Sequence, residues 1–387
     1  MAEAKQQERA FRDCYGAEAD ILVRAPGRVE LIGNHTDYND GFVLPMAIQR
    51  QCVILAKRRT DRSVRIYSEL FGQRCEFDLN DSIVPGKPTW ANYGKGVAAL
   101  LLRAGKKLSG LDMYLTCDIP AGGGLSSSAA IEVAYGKAFL AARDESFDPV
   151  ELALLCQEAE HTFADAPCGI MDQFICALGE AGHALLLDCR TRKFELVPVP
   201  FGHASILIAD TKVKHNLGQS GYPLRRQQCF DVVDILKKDL PNITHLRDVD
   251  IKTLEKYREK MDAVHFARAM HIITENQRVL TMAEGFKNGD LALAGEMMNL
   301  SHASSRDDYE VSCEELDFLA DQARECKGVY GARMSGGGFG GCIVALVDNQ
   351  YAQPIQEKLG QAYNNKYGKL PGMFCTGAAA GAEVLKK

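Results

Sequence analysis

The chain contains no Cys-x-x-Cys pair, no His-x-x-x-His or His-Glu-x-x-His spacing, and no Gly-x-x-x-x-Gly-Lys-Ser/Thr loop. Its 13 cysteines, an odd number scattered over 387 residues, therefore fit neither a disulfide framework nor a zinc ribbon. They read as reduced, mostly buried thiols. The missing histidine spacings exclude a zinc-peptidase helix, and the missing lysine loop excludes a Walker-type nucleotide site. Long apolar runs are also absent. Val97–Leu102 is far too short to span a bilayer, and Met1 to Tyr15 is polar and charged, without the apolar core of a signal peptide. Nor is there a basic excess: Lys and Arg number 45 against 51 Asp and Glu, for a net charge of -6. That balance argues against nucleic-acid binding, and the mild negative charge serves solubility. The expectation is a cytoplasmic protein, monomeric, with neither nucleic acid nor membrane as partner.

What is present suggests two domains, since 387 residues exceed the usual length of one. The hydrophobic share of 46% is ordinary for a protein with substantial cores. Without repeats or a low-complexity linker, the boundary falls near residue 200, giving an N-terminal domain over 1–200 and a C-terminal domain over 201–387. Ile21–Arg24, Val53–Lys57, Met113–Cys117, Ala184–Leu187 and Ser205–Ala209 read as strands, and Cys342–Val347 as a buried strand. Ala129–Ala142 and the stretch around Leu152, Leu155, Cys156, Ala159 and Phe163 show helical spacing. From Pro223 to about Leu300 the pattern is mainly helical and charged. The fold class is mixed α+β.

Three segments are dense in chemistry. Pro120-Ala121-Gly122-Gly123-Gly124-Leu125-Ser126-Ser127-Ser128-Ala129-Ala130 follows a strand and opens a helix. Its glycines let the backbone turn tightly and bare its N–H groups, and a helix N-terminus suits phosphate. The bland alternative is a flexible loop with a serine cap. Arg24 to Tyr38 crowds eight hydrogen-bonding side chains together, which suits a polyhydroxylated ligand or, more blandly, a polar surface loop. Gly331 to Cys342 holds five glycines within six residues before a buried strand, which implies backbone running close to another backbone or a ligand. At about 100° per residue, Glu160 lies on the flank of its helix's apolar stripe while Glu158 points away. Glu160 therefore turns inward, where a carboxylate needs a partner such as a cation. Asp172 starts a second amphipathic stretch with Met171, Phe174, Ile175 and Leu178 on its apolar face.

In this order the three segments resemble the three motifs of the GHMP kinases, and the resemblance extends over nearly the whole chain. It includes Trp90-Ala91-Asn92-Tyr93, Glu160-His161-Thr162-Phe163, Pro167-Cys168-Gly169-Ile170-Met171-Asp172-Gln173, Tyr222-Pro223-Leu224-Arg225-Arg226 and Arg306-Asp307-Asp308-Tyr309-Glu310-Val311-Ser312. The resemblance implies a two-domain α+β fold. Its N-terminal α/β domain has a left-handed βαβ unit, and its C-terminal domain is ferredoxin-like. It implies ATP- and Mg2+-dependent phosphorylation of the C1 hydroxyl of a hexose, with galactose the expected sugar. A kinase for N-acetylgalactosamine, arabinose or a C6-altered galactose is the alternative, and a non-catalytic sugar sensor a more distant one.

By the same resemblance, Gly122, Gly123, Gly124, Leu125, Ser126, Ser127 and Ser128 cradle the ATP phosphates, and Gly337 belongs to the loop that closes the site. Ser128 and Glu160 hold magnesium, and Trp90 and Tyr93 lie beside the adenine. Asp172 faces the anomeric hydroxyl with Arg28 as its cationic neighbour; it is expected to orient that hydroxyl and accept its proton late. His35, Asp37, Gly169 and Tyr222 contact the sugar. The family wording carries Asn where this chain has Glu30 and Glu where it has Asn34, so both positions join the sugar site, as a compensating exchange or as a change of preference at C6.

Overall fold

The computed structural model describes residues 2–120, 122–166, 168–213 and 221–387; Ala121 and Pro167, quoted in two of the motifs, fall outside them. The first half comprises α1 (Ala2–Tyr15), β1 (Ile21–Ile32), β2 (Phe42–Arg58), β3 (Ser63–Ser68), β4 (Gln73–Asp78), α2 (Asn92–Arg103) and β5 (Leu111–Cys117). It continues through α3 (Ser127–Ala141), α4 (Pro149–Phe163), α5 (Met171–Leu178), β6 (His183–Asp188) and β7 (Phe194–Pro198). The second half holds β8 (Ala204–Asp210), α6 (Tyr222–Lys237), α7 (Ile251–Lys256), α8 (Ala263–Lys287), α9 (Leu291–Asp307) and α10 (Glu314–Arg324). Then follow β9 (Val329–Ser335), β10 (Cys342–Asp348), α11 (Ala352–Tyr367), β11 (Gly372–Thr376) and β12 (Glu383–Lys386).

One sheet runs β12-β1-β2-β5-β3-β4, with β6 and β7 extending from β2. Within it β3 and β5 are parallel, joined through β4 and α2. The other sheet runs β11-β8-β10-β9, antiparallel throughout. Counted along the chain that is the order four-one-three-two, with helices after its first and third strands, the β-α-β-β-α-β arrangement of a ferredoxin-like domain. The last strand, β12, returns to pair with β1, Leu22 opposite Lys386, and so ties the C-terminus into the first sheet.

Alternation along β8 explains how the two sheets share the interior. Ile206 and Ile208 enter the core built on the first sheet and helices α2 to α5. Leu207 and Ala209 enter a second core with α6, α8, α10 and α11. Strands covered on both faces lose the polar half of their pattern, which is why Cys342 to Val347 is an unbroken buried run. Two strands run well beyond expectation: β2 begins at Phe42 rather than Val53, and β1 continues past Arg24 to Ile32 through Pro26-Gly27. Its register against β2 shifts between Pro26 and Arg28, a bulge that accommodates a proline without an N–H to donate. Among the described residues, no helix is long and apolar enough to cross a membrane.

Candidate active site

The bulge in β1 sends the Arg28 backbone N–H away from β2 to the carbonyl of Leu125, at 3.0 Å, in the glycine loop. The Arg28 side chain is 7% exposed and forks onto Asp172: Nε donates to Oδ1 and Nη2 to Oδ2, each at 2.7 Å. Its remaining nitrogen, Nη1, donates to the Gly124 carbonyl. A two-bond guanidinium–carboxylate fork fixes both groups in one plane. Asp172 sits in the first turn of α5, where unpaired backbone donors favour a carboxylate. Met171, Phe174 and Ile175 bury the face that anchors this helix. Ser126 Oγ donates to Asp172 Oδ2 as well. This serine precedes α3 with φ 57, in the left-handed region, and makes no capping bond to its own helix. The turn directs its hydroxyl to Asp172 instead.

The expected phosphate loop lies open at the start of α3. Gly122 and Gly124 are exposed, Ser126, Ser127 and Ser128 partly so, and Gly123 and Leu125 buried. The third glycine segment, between β9 and β10, passes directly against it: a Cβ at Gly336 would meet the Gly124 carbonyl at 3.3 Å. At Gly338, with φ 86, a Cβ would lie 2.2 Å from the Val311 carbonyl, so no other residue fits. Trp90 stacks on Phe71, with centroids 6.0 Å apart, and its Nε1 donates to Gln73 Oε1 at 3.0 Å. Tyr93 begins α2, and burial, helped by the Glu160 and Glu132 carboxylates, pushes its hydroxyl up to about 12.

Glu160 turns inward from α4 as its helical position requires, whereas Glu158 faces outward to Arg103. Glu160 Oε2 accepts from Gln173 Nε2 at 2.6 Å and from the Cys168 thiol at 3.2 Å, and the nearby Ser128 hydroxyl favours the charged carboxylate. Burial raises this carboxyl above its usual range against the pull of those donors. Among the described residues no Lys, Arg or His pairs with it, and no three His, Cys, Asp or Glu side chains cluster as a metal site. One carboxylate and one hydroxyl, both hard oxygen donors, suit Mg2+, which keeps several waters and takes its remaining ligands from substrate phosphates.

On the expected sugar side, Glu30 and Asn34 converge on one residue. The Gly336 N–H donates to Glu30 Oε2 at 3.1 Å, and Asn34 Nδ2 donates to the Gly336 carbonyl at 2.7 Å. The exchanged pair thus grips both ends of a single residue in the third loop. His35 has φ 62 and rings of Tyr38, Tyr222 and Tyr309 around it, the Tyr222 centroid at 5.0 Å. Burial and the neighbouring His271 push its imidazole down to about 3, so it is neutral. Its Nε2 lies 3.2 Å from the Gly337 carbonyl and its Nδ1 2.7 Å from the Tyr38 hydroxyl. The carbonyl can only accept, which assigns the proton to Nε2 and makes Tyr38 the donor to Nδ1. Both ring nitrogens are therefore engaged within the protein. Asp37 touches Gly169 so closely that a Cβ there would lie 1.4 Å from Asp37 Oδ2.

Several residues of this neighbourhood were not singled out from the sequence. Glu275 on α8 is fully buried; its Oε1 accepts the backbone N–H groups of Gly33 and Asn34, at 3.0 and 3.2 Å, and the Ser301 hydroxyl at 2.6 Å. Although burial alone would raise it, Arg278, His271 and Arg333 hold this carboxyl down to about 2. Arg333, also fully buried, donates Nη1 to the Glu30 carbonyl at 3.1 Å. No spacing rule links these residues to a loop more than 240 positions earlier. Glu132 did carry a signal, one helical turn beyond Ser128 on α3.

A glycine loop that opens a helix without a Walker lysine, set against a ferredoxin-like sheet, defines a small-molecule kinase of the GHMP class. Residues 92–180 match the GHMP kinases N terminal domain and residues 282–365 the GHMP kinases C terminal, while residues 9–58 match the galactokinase galactose-binding signature. Galactokinase of Chloroflexus aurantiacus is 44% identical over 380 residues, covering 98% of this chain and 97% of that protein. The human galactokinase is 43% identical over 392 residues, covering 100% and 96%. The crystal structure of Lactococcus lactis galactokinase complexed with galactose superposes with a TM-score of 0.94 at 34% identity, covering 99% of this chain and 100% of that one. The chain belongs to the galactokinase family.

Proposed function

We propose that this protein transfers the γ-phosphoryl group of ATP to the C1 hydroxyl of galactose, giving galactose 1-phosphate and ADP. The observation that carries the reading is the Arg28–Asp172 fork, pinned to the glycine loop at Gly124 and Leu125. It sets a carboxylate and a fixed positive charge beside the expected phosphate site. Asp172 orients the attacking hydroxyl and accepts its proton, and Arg28 offsets charge on the transferring group. The backbone N–H groups at the start of α3 bind phosphate oxygens. Ser128 and Glu160 would hold Mg2+, which when bound neutralises phosphate charge. Asp37, Gly169 and Tyr222 form the sugar side with the clamp at Gly336, and Trp90 the adenine side.

The test is ADP release with Mg2+ and ATP over galactose, 2-deoxygalactose, N-acetylgalactosamine, fucose, galacturonate, arabinose and glucose. Galactose is expected to turn over fastest. Turnover confined to a sugar altered at C6 would reassign the substrate, and silence on all seven would overturn the kinase reading.

Two further outcomes follow from Asp37. In Gly169→Ala the new methyl occupies the Asp37 carboxylate's position, so that side chain must swing away. The KM for galactose should rise at least about tenfold, the worth of one charge-assisted hydrogen bond, with the KM for ATP little changed. Equal increases in both would point to general damage. The second outcome is a pH dependence. Part of Asp37's surface reaches solvent, yet burial raises its carboxyl to about 7, against the Tyr38 N–H and with help from Glu30 and Asp172. A carboxyl raised on folding adds stability below its unfolded range and loses it as pH climbs through about 7. Sugar binding has the opposite sign if hydroxyls donate to the ionised form. The KM for galactose should then fall about tenfold from pH 6 to pH 8, and Asp37→Asn should flatten the profile. A flat wild-type profile would remove Asp37 as an ionised sugar ligand.

A further inference from the structure

The least explained group near the site is Glu132, fully buried on α3 with no cationic partner among the described residues. Its Oε2 accepts from Gln173 Nε2 at 3.2 Å, and the same amide nitrogen donates to Glu160 Oε2 at 2.6 Å. One carboxamide thus bridges two buried carboxyl groups. Glu160 assigns the amide orientation, because turning it over would aim its oxygen at that carboxylate across 2.6 Å. Among the described residues, Glu132 Oε1 and Gln173 Oε1 have no partner. Buried acceptors in that state are costly, because they have lost water without gaining a donor.

We infer that Gln173 is a positioning residue for the Glu160 carboxylate and that Glu132 holds Gln173 in place by a reciprocal acid–amide pair. The inference rests on the reading of Glu160 as the magnesium-holding carboxylate. One proton on Glu132 Oε1 supplies the missing donor: it bonds Gln173 Oε1 while Gln173 Nε2 bonds Glu132 Oε2. Both orphaned acceptors are then satisfied by a single hydrogen. The second N–H of Gln173 remains committed to Glu160 and fixes which oxygen of that carboxylate is free. Burial, with the nearby Glu160 charge, keeps the Glu132 carboxyl well above its ordinary range, consistent with a neutral acid. The arrangement is a hydrogen-bonded outer shell of the kind that orients a metal ligand.

The experiment is a Mn2+ titration followed by electron paramagnetic resonance in the presence of ADP, on the full chain and four variants, with KM values for ATP and galactose alongside. Glu132→Ala and Gln173→Met should weaken Mn2+ binding about 10-fold or more, the usual effect of losing an outer-shell partner, and leave the KM for galactose unchanged. Glu132→Gln can donate to Gln173 Oε1 and accept from Gln173 Nε2, so it should stay within about threefold of wild type. Glu160→Gln is the control for the site itself. If it loses Mn2+ while Glu132→Ala and Gln173→Met bind normally, the positioning role is overturned and the metal site stands. If Glu160→Gln binds Mn2+ as wild type does, the metal reading and the positioning role fall together. A Glu132→Gln protein as impaired as Gln173→Met overturns the acid–amide pair even should Glu132→Ala not fold.

Discussion

Asp172→Asn is expected to lower kcat on galactose about a thousandfold, with KM values for galactose and ATP changing little. General-base groups in the transition state contribute about 10²–10⁴-fold, and Asp172 is the carboxylate held by Arg28 and Ser126 beside the glycine loop. Asparagine keeps the shape and one acceptor but cannot take a proton. Both carboxylate oxygens accept from the Arg28 fork, so whichever one the NH2 replaces, at least one of the three bonds now made becomes donor against donor. A loss of about tenfold or less, comparable with one ordinary hydrogen bond, would restrict Asp172 to orienting the hydroxyl. A loss nearer 10⁴ would make proton acceptance the main role. Steady-state kinetics with both substrates separates these cases.

Arg28→Met should be the most damaging single change, because Arg28 serves the chemistry and the packing together. It removes the fork to Asp172 and the bond to the Gly124 carbonyl, and it leaves a largely buried carboxylate unpaired. Breaking a buried pair on one side costs about 3–5 kcal/mol, and the 22% exposure of the Asp172 side chain places this case near the lower end. Catalysis should fall at least about a hundredfold as the positive charge beside the phosphoryl group is lost. Denaturant unfolding distinguishes the two effects. The double variant Arg28→Met with Asp172→Asn removes the stranded charge and should recover part of the stability but none of the activity. Additive stability losses in the double variant would show that the pair contributes through packing alone.

How much of this was legible in the chain can be followed residue by residue. Glu160 facing inward and Glu158 outward followed from a period of 3.6, and the structure places them so. Ser205–Ala209 and Cys342–Val347 were readable as strands because both faces of each are covered and the apolar run is continuous. The extension of β1 to Ile32 was hidden by Pro26-Gly27, since the bulge that tolerates them depends on β2 as a partner. Arg28 and Asp172 were paired only by resemblance to a family. They lie 144 positions apart, and nothing local to either names the other.

Local order was therefore the sequence's own contribution: helix faces set by side-chain period, buried strands set by unbroken apolar runs, and a glycine loop that must open a helix. These depend on contacts a few residues apart, which composition and spacing encode directly. Tertiary structure alone decided that β12 closes on β1, that Glu30 and Asn34 meet at Gly336, that Glu275 fastens the loop after β1, and that Gln173 bridges Glu132 to Glu160. Each of these is a hydrogen bond or strand pairing between elements whose separation is fixed by sheet order and by the two register shifts of β1 against β2. A buried polar group must find a partner, but which partner it finds is a property of the packed chain.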